Sequence, residues 1–341
     1  EREMGISDEH EGIIEIDDKY NLGEKFIEVF KLDDPVIEIN ITPNRGDCLA
    51  VRGVARDLAA AGFGKLKENE LINNIQGVFE SPVKWEKDFV GDEEYICPGV
   101  SGRYFKNVNN KESPSWLQQR LKAIGLRPIS ALVDITNYIT YDLGRPLHVY
   151  DADKIKGNLR MRYAKENESC LTLDEVSREC KSDMIVISDD QKLHGIGGVM
   201  GGLDSGCSLD TKNVFLEVAL FDPISVTKTG RHLKLQSDAR YRFERGIDPT
   251  SIEWGVQAAT KMILDLCGGE VSKIVQTNVL KNKQTKIDFN TDKIMSLGGI
   301  DIKIEKQKSI LESLGFGVLE KNNLFNITVP SFRPDIEGEA D

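Results

Sequence analysis

Six glycines lie within the twelve residues 195–206, GIGGVMGGLDSG. Glycine is favoured where the backbone turns through positive φ or passes close to a bulky group. The run therefore predicts either a tight turn between strands or a loop that approaches a phosphate, another strand or a substrate. It is followed by NVFLEVALF, an apolar segment typical of a buried strand.

The run does not match the glycine patterns that cradle phosphates. Counted from Gly195, the dinucleotide fingerprint requires glycine at position 200, which is Met200, and no Gly-Lys-Ser/Thr follows. Phosphate binding is therefore disfavoured. A turn between strands and a loop beside a substrate pocket both remain open.

Glu217 is the one charged residue inside the apolar segment that follows the run. Strand alternation places its side chain on the face opposite to Leu216 and Val218. That face is either exposed to solvent or lines a cleft beside the glycines, where burial is costly unless the carboxylate meets a hydrogen-bond donor. The pattern alone leaves both interpretations open.

The net charge of −12 excludes a chain that binds nucleic acid non-specifically over its whole surface, because such binding requires basic groups to neutralise phosphates. One basic segment, residues 228–246, stands out. Its basic residues are Lys228, Arg231, His232, Lys234, Arg240, Arg242 and Arg245. Such a segment is usually a salt-bridged, solvated face, but it is also where a phosphate backbone could settle in an acidic chain.

Cysteine and histidine spacing argues against a metal site. The six cysteines form no C-x-x-C pair and the four histidines are scattered, so we expect reduced thiols in a cytoplasmic protein. No apolar run approaches the ~20 residues that a membrane span needs. Because the sequence begins at Glu1 rather than Met, we treat it as an internal fragment of a longer protein.

Glycine stop signals predict a series of helices. Segments with helical periodicity end at Gly62, Gly125, Gly144, Gly268 and Gly315, with Asp47 and Ser113 as expected caps of the first two. Short strands are expected at GIIEID, VIEIN, LRMRYA, DMIVISDD and NVFLEVALF, and a hairpin over FGVLEKNNLFNITVP. The predicted fold class is α+β, with several domains.

These segments, in this order, resemble the β subunit of bacterial phenylalanyl-tRNA synthetase. The matching stretches are TPNRGDCLAVRGVARDLAAAG, RPISALVDITNYITYDLGRPLHVYD, GIGGVMGG, LEVALFDP, SDARYRFERGIDP and VPSFRPDI. The resemblance implies the end of an OB-fold tRNA-binding domain over residues 1–38 and a helical linking module over 39–84. It further implies an α/β editing domain over 85–275 and a truncated winged-helix-like module over 280–341.

The resemblance also implies a function. The family's whole enzyme is a class II phenylalanine–tRNA ligase that charges tRNA(Phe) with ATP as a substrate. Its aminoacylation centre would lie in the α subunit of an α2β2 heterotetramer, and this chain would hydrolyse mischarged Tyr-tRNA(Phe). No membrane or DNA partner is expected. Two alternatives are a non-catalytic scaffold that docks the α subunit and tRNA, and a free-standing deacylase that edits in trans.

The implied editing pocket contains His148, Gly198, Gly201, Glu217, Ser237 and Ala239. In this assignment Glu217 accepts a hydrogen bond from the tyrosine hydroxyl, the two glycines leave room for the ring, and Ser237 stands where the family has threonine. These residues form no Ser-His-Asp triad, so no catalytic residue is assigned. We expect oriented water to attack the ester, with the terminal ribose hydroxyls of the tRNA assisting.

Two further sets of residues follow from the resemblance. Arg231, Arg240 and Arg242 are candidate tRNA contacts, and Asp335 and Asp341 are candidate ligands for a Mg²⁺ ion shared with the α subunit. Magnesium needs near-octahedral oxygen ligation, and two more acidic ligands would follow position 341. We therefore expect an incomplete magnesium site in this chain and a complete one in the full enzyme.

Overall fold

The computed structural model describes residues 12–16, 18–30, 32–277, 284–321 and 324–341. Its helices are α1 (Phe26–Val29), α2 (Val51–Ala60), α3 (Ser115–Ala123), α4 (Ala131–Leu143), α5 (Pro223–Leu233), α6 (Asp238–Phe243), α7 (Ser251–Cys267), α8 (Lys293–Gly298) and α9 (Ile304–Ser313). Its strands are β1 (Trp85–Lys87), β2 (Gly99–Lys106), β3 (His148–Asp151), β4 (Leu159–Tyr163), β5 (Glu168–Leu171), β6 (Ser177–Cys180), β7 (Ile185–Ser188), β8 (Leu193–Ile196), β9 (Met200–Gly201), β10 (Val214–Leu220), β11 (Glu270–Val271), β12 (Val275–Gln276), β13 (Lys286–Asn290), β14 (Gly317–Lys321) and β15 (Leu324–Thr328). The fold class is α+β, as predicted.

Two sheets form the centre of the fold. One has the strand order β1-β4-β7-β8-β9, and the other has the order β11-β2-β10-β3 with β12 also paired to β2. Both sheets contribute to one core, with Met161 and Ile187 from the first sheet and Phe215 and Ala219 from the second. Because side chains alternate along a strand, the odd-numbered residues of β10 face this core.

The other face of the second sheet is covered by helices. Leu216 and Val218 of β10 share a core with Ile135 of α4 and with Val256 and Ile263 of α7. Both helices end where the sequence predicts, at Gly144 with φ 76° and at Gly268 with φ 67°. This helical layer covers one face of β10. The odd-numbered side chains of β10 lie on the other face and point into the space between the sheets.

A third sheet lies near the C-terminal end of the described chain, with the order β13-β15-β14. The antiparallel pair β14–β15 confirms the predicted hairpin, although Asn322 and Asn323 at its tip lie outside the described residues. Phe325 and Ile327 of β15 pack with Leu311 of α9, the helix that ends at Gly315 as predicted. The helix and the sheet share one small core.

Two predicted helix caps are wrong for the same reason. The Asp47 carboxylate does not cap α2 but accepts hydrogen bonds from Arg45 Nε at 2.9 Å and Arg56 Nη1 at 3.2 Å. Ser113 does not cap α3, because its hydroxyl donates to Asp134 Oδ2 at 2.5 Å. In both cases a buried or half-buried side chain binds the group that was expected to cap the helix.

The two strands expected near the N-terminus are also wrong for the residues that are described. Residues 12–16 and 36–40 are not strands, and Ile13 and Ile37 are 92% and 78% exposed. A strand is stable only when it pairs and buries one face, and neither segment finds a partner in the described parts of the chain. Across those same parts, no helix is both long and apolar enough to cross a lipid bilayer.

Candidate functional site

A small cleft opens between the two central sheets, at the glycine run. Its volume is about 70 Å³, and its lining includes His148, Tyr150, Gly198, Gly201, Glu217 and Ala239. Since one water molecule needs roughly 10–15 Å³, the cleft has room for more than one. It therefore combines titratable groups, glycines and room for water in one place.

Strand pairing brings His148 and Glu217 together. The two residues are direct partners in the antiparallel ladder between β3 and β10. Their side chains therefore point to the same face of the sheet, toward the core that contains the cleft. Glu217 is only 6% exposed. Of the two interpretations that the sequence left open, the structure confirms a carboxylate that lines a cleft and excludes an exposed strand face.

The Glu217 carboxylate has one bonded oxygen and one open oxygen. The phenol of Tyr150 donates a short hydrogen bond to Oε2, and no described residue donates to Oε1. Burial raises the pKa of Glu217 to about 7, and the Tyr150 hydrogen bond and the positive charge of Arg145 counteract part of this rise. The carboxyl group therefore changes its charge near neutral pH.

This raised pKa predicts a pH-dependent stability. Between its ordinary value of 4.5 and the folded value of about 7, the folded Glu217 holds a proton that the unfolded one has lost. The free energy of unfolding should therefore fall by about 3 kcal/mol as pH rises through this window, and then level off. Denaturant unfolding of the complete subunit at several pH values checks this. The Glu217→Gln variant should not show this fall in the free energy of unfolding. If the free energy of unfolding changed with pH in the same way for variant and wild type, the prediction would be wrong.

His148 is a neutral imidazole in this site. Burial and the neighbouring His194 lower the pKa of His148 to about 4. Its ring packs edge-on against Tyr150, with centroids 4.4 Å apart, and its buried Nε2 atom has no hydrogen-bond partner among the described residues. A neutral imidazole with an unused nitrogen can hold a water molecule or a ligand hydroxyl.

The glycines of the run make space mainly for side chains of the protein itself. A Cβ atom at Gly201 would lie 2.3 Å from Cε1 of His148, and one at Gly198 would lie 2.7 Å from Cγ2 of Val226. Gly198 also has a φ of 69°, which side chains disfavour. The run therefore lets the β8–β9 hairpin close onto the imidazole, and the cleft is what remains open beside it.

The structure separates the roles of Ser237 and Ala239. Ala239 lines the cleft. The Ser237 hydroxyl accepts from the backbone N–H of Arg240 at 3.1 Å and donates to the carbonyl of Val199 at 2.5 Å. Ser237 is thus the N-cap of α6 and a brace for the glycine run, rather than part of the cleft wall.

Two of the three predicted tRNA contacts are enclosed in the protein. Arg240 donates to the Leu235 carbonyl at 2.5 Å, and Arg242 donates to the Leu49 carbonyl at 3.2 Å. Both residues are 5% exposed. Their guanidinium groups hold loops in place, and their assignment as tRNA contacts stays a prediction. Arg231 is exposed, and its assignment as a tRNA contact stays a prediction.

The carboxylates of Asp335 and Asp341 accept hydrogen bonds from neighbouring groups of the protein. Asp335 accepts a double hydrogen bond from Arg333 at 2.8 and 2.9 Å, and Asp341 accepts from the backbone N–H groups of residues 337 and 338. Neither belongs to a cluster of possible metal ligands within the described residues. In the described residues these two carboxylates are bound by the protein's own donors, and their role as Mg²⁺ ligands in the full enzyme stays a prediction.

The described residues contain one cluster of possible metal ligands, formed by Asp47, Cys48 and Asp57. The Arg45 guanidinium donates to both carboxylates, at 3.0 Å to Asp47 and 2.8 Å to Asp57. Burial raises the pKa of Cys48 to about 12, so its thiol stays protonated. A guanidinium therefore occupies the position that a cation would take.

Two residues that shape the cleft were not predicted from the sequence. Tyr150 lies two residues after His148 in β3, and strand alternation alone places it on the same face. Arg145 is fully buried, and its Nη2 donates to the Ala219 carbonyl at 2.5 Å. No local sequence pattern marks Arg145, because its role depends on a strand that lies 74 residues away.

Comparison with known proteins adds to this geometry. The B3/4 domain family matches residues 96–268, and the tRNA synthetase B5 domain family matches residues 287–341. The chain is 48% identical over 341 residues to the phenylalanine–tRNA ligase beta subunit of Brucella suis biovar 1 (strain 1330). It is 47% identical to that of Mesorhizobium japonicum and 44% identical to that of Paramagnetospirillum magneticum.

Each of these alignments covers 100% of this chain and 42% of the relative, so the chain spans less than half the length of these relatives. Among solved structures, it is similar to an N-terminal fragment of the phenylalanyl-tRNA synthetase beta subunit from Pyrococcus horikoshii. That match has a TM-score of 0.42 and 17% identity, and it covers 86% of this chain and 80% of the other.

Proposed function

Since the chain belongs to the phenylalanine–tRNA ligase beta subunit family, we propose that it carries the editing site of such an enzyme. The longer protein pairs with an α subunit in an α2β2 heterotetramer of the cytoplasm, and the full enzyme charges tRNA(Phe) with the use of ATP and Mg²⁺. The segment described here hydrolyses the ester bond of Tyr-tRNA(Phe) that is formed by mistake.

The observation that carries this proposal is the Glu217 carboxylate in the cleft. Tyrosine differs from phenylalanine only by its hydroxyl group. The pocket that selects phenylalanine for aminoacylation rejects an added hydroxyl only weakly. A second site that hydrogen-bonds this hydroxyl discriminates far more strongly, because its buried polar group is unpaired when phenylalanine binds. Oε1 of Glu217 is an acceptor of this kind, since it meets no donor among the described residues.

The proposed reaction uses water as the nucleophile. Water attacks the ester carbonyl carbon, the bond from this carbon to the ribose oxygen breaks, and the released ribose hydroxyl takes up a proton. Neutral His148, whose buried Nε2 has no hydrogen-bond partner among the described residues, is the candidate to orient the water. The terminal ribose hydroxyls of the tRNA assist, and the exposed Arg231 is a candidate contact for the tRNA backbone.

Hydrolysis of Tyr-tRNA(Phe) and Phe-tRNA(Phe) by the complete enzyme tests this proposal. We expect fast release of tyrosine and slow release of phenylalanine. A complete enzyme that hydrolyses neither would favour the scaffold that only docks the α subunit and tRNA. Hydrolysis by this segment without the α subunit would favour the deacylase that works in trans.

The segment alone should not activate phenylalanine. Its glycine run matches neither a dinucleotide nor a P-loop pattern, and the proposal places ATP binding in the α subunit. Phenylalanine-dependent exchange of pyrophosphate into ATP, measured with the purified segment, should stay at the level of a blank without protein. Exchange above this level would contradict the assignment of ATP binding to the α subunit. The same exchange should appear when the complete α and β subunits are assayed together.

A further inference from the structure

Tyr150 occupies a special place in the cleft. It is completely buried, and its phenol donates to Oε2 of Glu217. In the ladder, Tyr150 pairs with Phe215 and His148 pairs with Glu217, so these four side chains lie on one face of the sheet. The proposed function assigns the Glu217 carboxylate to the hydroxyl of the substrate's tyrosine. The same carboxylate already binds a phenol of the protein itself, that of Tyr150.

We propose that Tyr150 is a positioning residue, whose hydroxyl holds Oε2 of Glu217 so that Oε1 alone is presented to the tyrosine hydroxyl of the substrate. The inference rests on the proposed function for the identity of the ligand. An ionised carboxylate accepts several hydrogen bonds through its two oxygens. The internal phenol and the substrate phenol therefore bind the same group together, one on each oxygen.

The surroundings of Tyr150 keep its ring in place. The ring packs edge-on against His148 at 4.4 Å and against His194 at 6.2 Å between centroids. His194 in turn lies 2.8 Å from Asp189, and both of these side chains are fully buried. A ring enclosed in this way cannot swing out for a substrate without leaving a cavity, so displacement of Tyr150 is disfavoured.

The hydrogen bond from Tyr150 also helps Glu217 to stay ionised. Burial raises the pKa of Glu217, whereas Tyr150 and Arg145 lower it again. The other titratable groups around this carboxylate are His148 on the paired strand, His194 on β8 and the buried thiol of Cys97. Burial lowers the pKa of His148 to about 4 and raises the pKa of Cys97 to about 12, so both stay neutral near pH 7.

The test is the Tyr150→Phe variant of the complete enzyme, which keeps the ring and removes the hydroxyl. We expect kcat/KM for Tyr-tRNA hydrolysis to fall about tenfold, as for loss of one hydrogen bond to a charged group. Hydrolysis of Phe-tRNA should not change. The midpoint of the pH profile for Tyr-tRNA hydrolysis should move to higher pH, because Glu217 loses a donor that favours its ionised form.

Tyr163→Phe is the matched control. Tyr163 packs against the same core, edge-on to Phe89 at 4.9 Å, and its hydroxyl makes no hydrogen bond among the described residues. Its removal should leave the rates and the pH midpoint unchanged. If Tyr150→Phe behaves like this control, or slows both tRNAs equally, Tyr150 only fills the core and the inference is wrong. A wild-type enzyme without preference for Tyr-tRNA would instead overturn the proposed function, and this inference with it.

Discussion

Gly201→Ala should slow the hydrolysis of Tyr-tRNA by the complete enzyme about 100-fold or more, while synthesis of Phe-tRNA continues. The added Cβ would lie 2.3 Å from Cε1 and 2.7 Å from Nε2 of His148, closer than side-chain contacts tolerate. The imidazole must therefore move, and a displacement of about 1 Å at a reacting centre costs on the order of 10² in rate. Gly201→Trp adds a large indole of about 200 Å² to the same cleft and should slow editing at least as much.

Two other glycines give controls for this experiment. A Cβ at Gly298 in α8 would meet nothing within 4 Å, so Gly298→Ala should leave both activities intact. A Cβ at Gly77, which does not line the cleft, would lie 2.2 Å from the backbone of Ser272, so Gly77→Ala should lower the stability and both activities together. Charging and deacylation are measured side by side. If Gly201→Ala resembles Gly77→Ala, the run serves the fold and its assignment to the pocket is wrong.

Local signals predicted the ends of helices well. Gly144, Gly268 and Gly315 each follow a helix with a positive φ of 76°, 67° and 93°. A helix end depends on residues within one turn, and a left-handed residue after it strongly favours glycine. The caps at Asp47 and Ser113 failed because their side chains bind Arg45 and Asp134 instead. The competing partner of Ser113 lies 21 residues away, beyond any local pattern.

The glycine run shows how far a sequence pattern reaches. Its composition predicted that the backbone passes close to another group, and the structure confirms such a close approach. It did not tell which group approaches, because the neighbours come from distant segments: His148 for Gly201, and Val226 for Gly198. The resemblance assigned both glycines to space for a ligand ring. The structure instead puts side chains of the protein against them, so their role in the pocket remains a prediction that acts through these neighbours.

The meeting of His148 and Glu217 could not be derived from periodicity. Alternation in NVFLEVALF indicated a face for Glu217, but not whether that face was buried. Burial depends on the pairing of β10 with β3, where the two residues are 69 positions apart yet directly opposite. Likewise, the basic segment 228–246 was ambiguous until Arg240 and Arg242 proved to be buried. Long-range strand pairing and helix packing decide these points, and a single sequence does not encode them in a local form.

Glu217→Ala should slow hydrolysis of Tyr-tRNA by the complete enzyme by roughly 10- to 150-fold. This range corresponds to about 1.5–3 kcal/mol for one hydrogen bond to a charged group that persists in the transition state. Hydrolysis of Phe-tRNA should stay slow or rise slightly, because the variant lacks the buried Oε1 oxygen that a phenyl ring would leave unpaired. Glu217→Gln keeps an acceptor for Tyr150 but loses the charge, so its effect on Tyr-tRNA should be smaller.

Release of tyrosine and phenylalanine from the two charged tRNAs, followed side by side, decides the role of Glu217. Glu270→Ala is a suitable control, because this carboxylate lies on β11 in an exposed ion pair with Lys106 at 3.0 Å. An exposed pair of this kind contributes about 1 kcal/mol or less to stability, and the control should edit like the wild type. Equal Tyr-tRNA rates for Glu217→Ala and Glu270→Ala would make the buried carboxylate a structural group. Selection for the hydroxyl would then have to come from another donor or acceptor in the cleft, such as His148 or Tyr150.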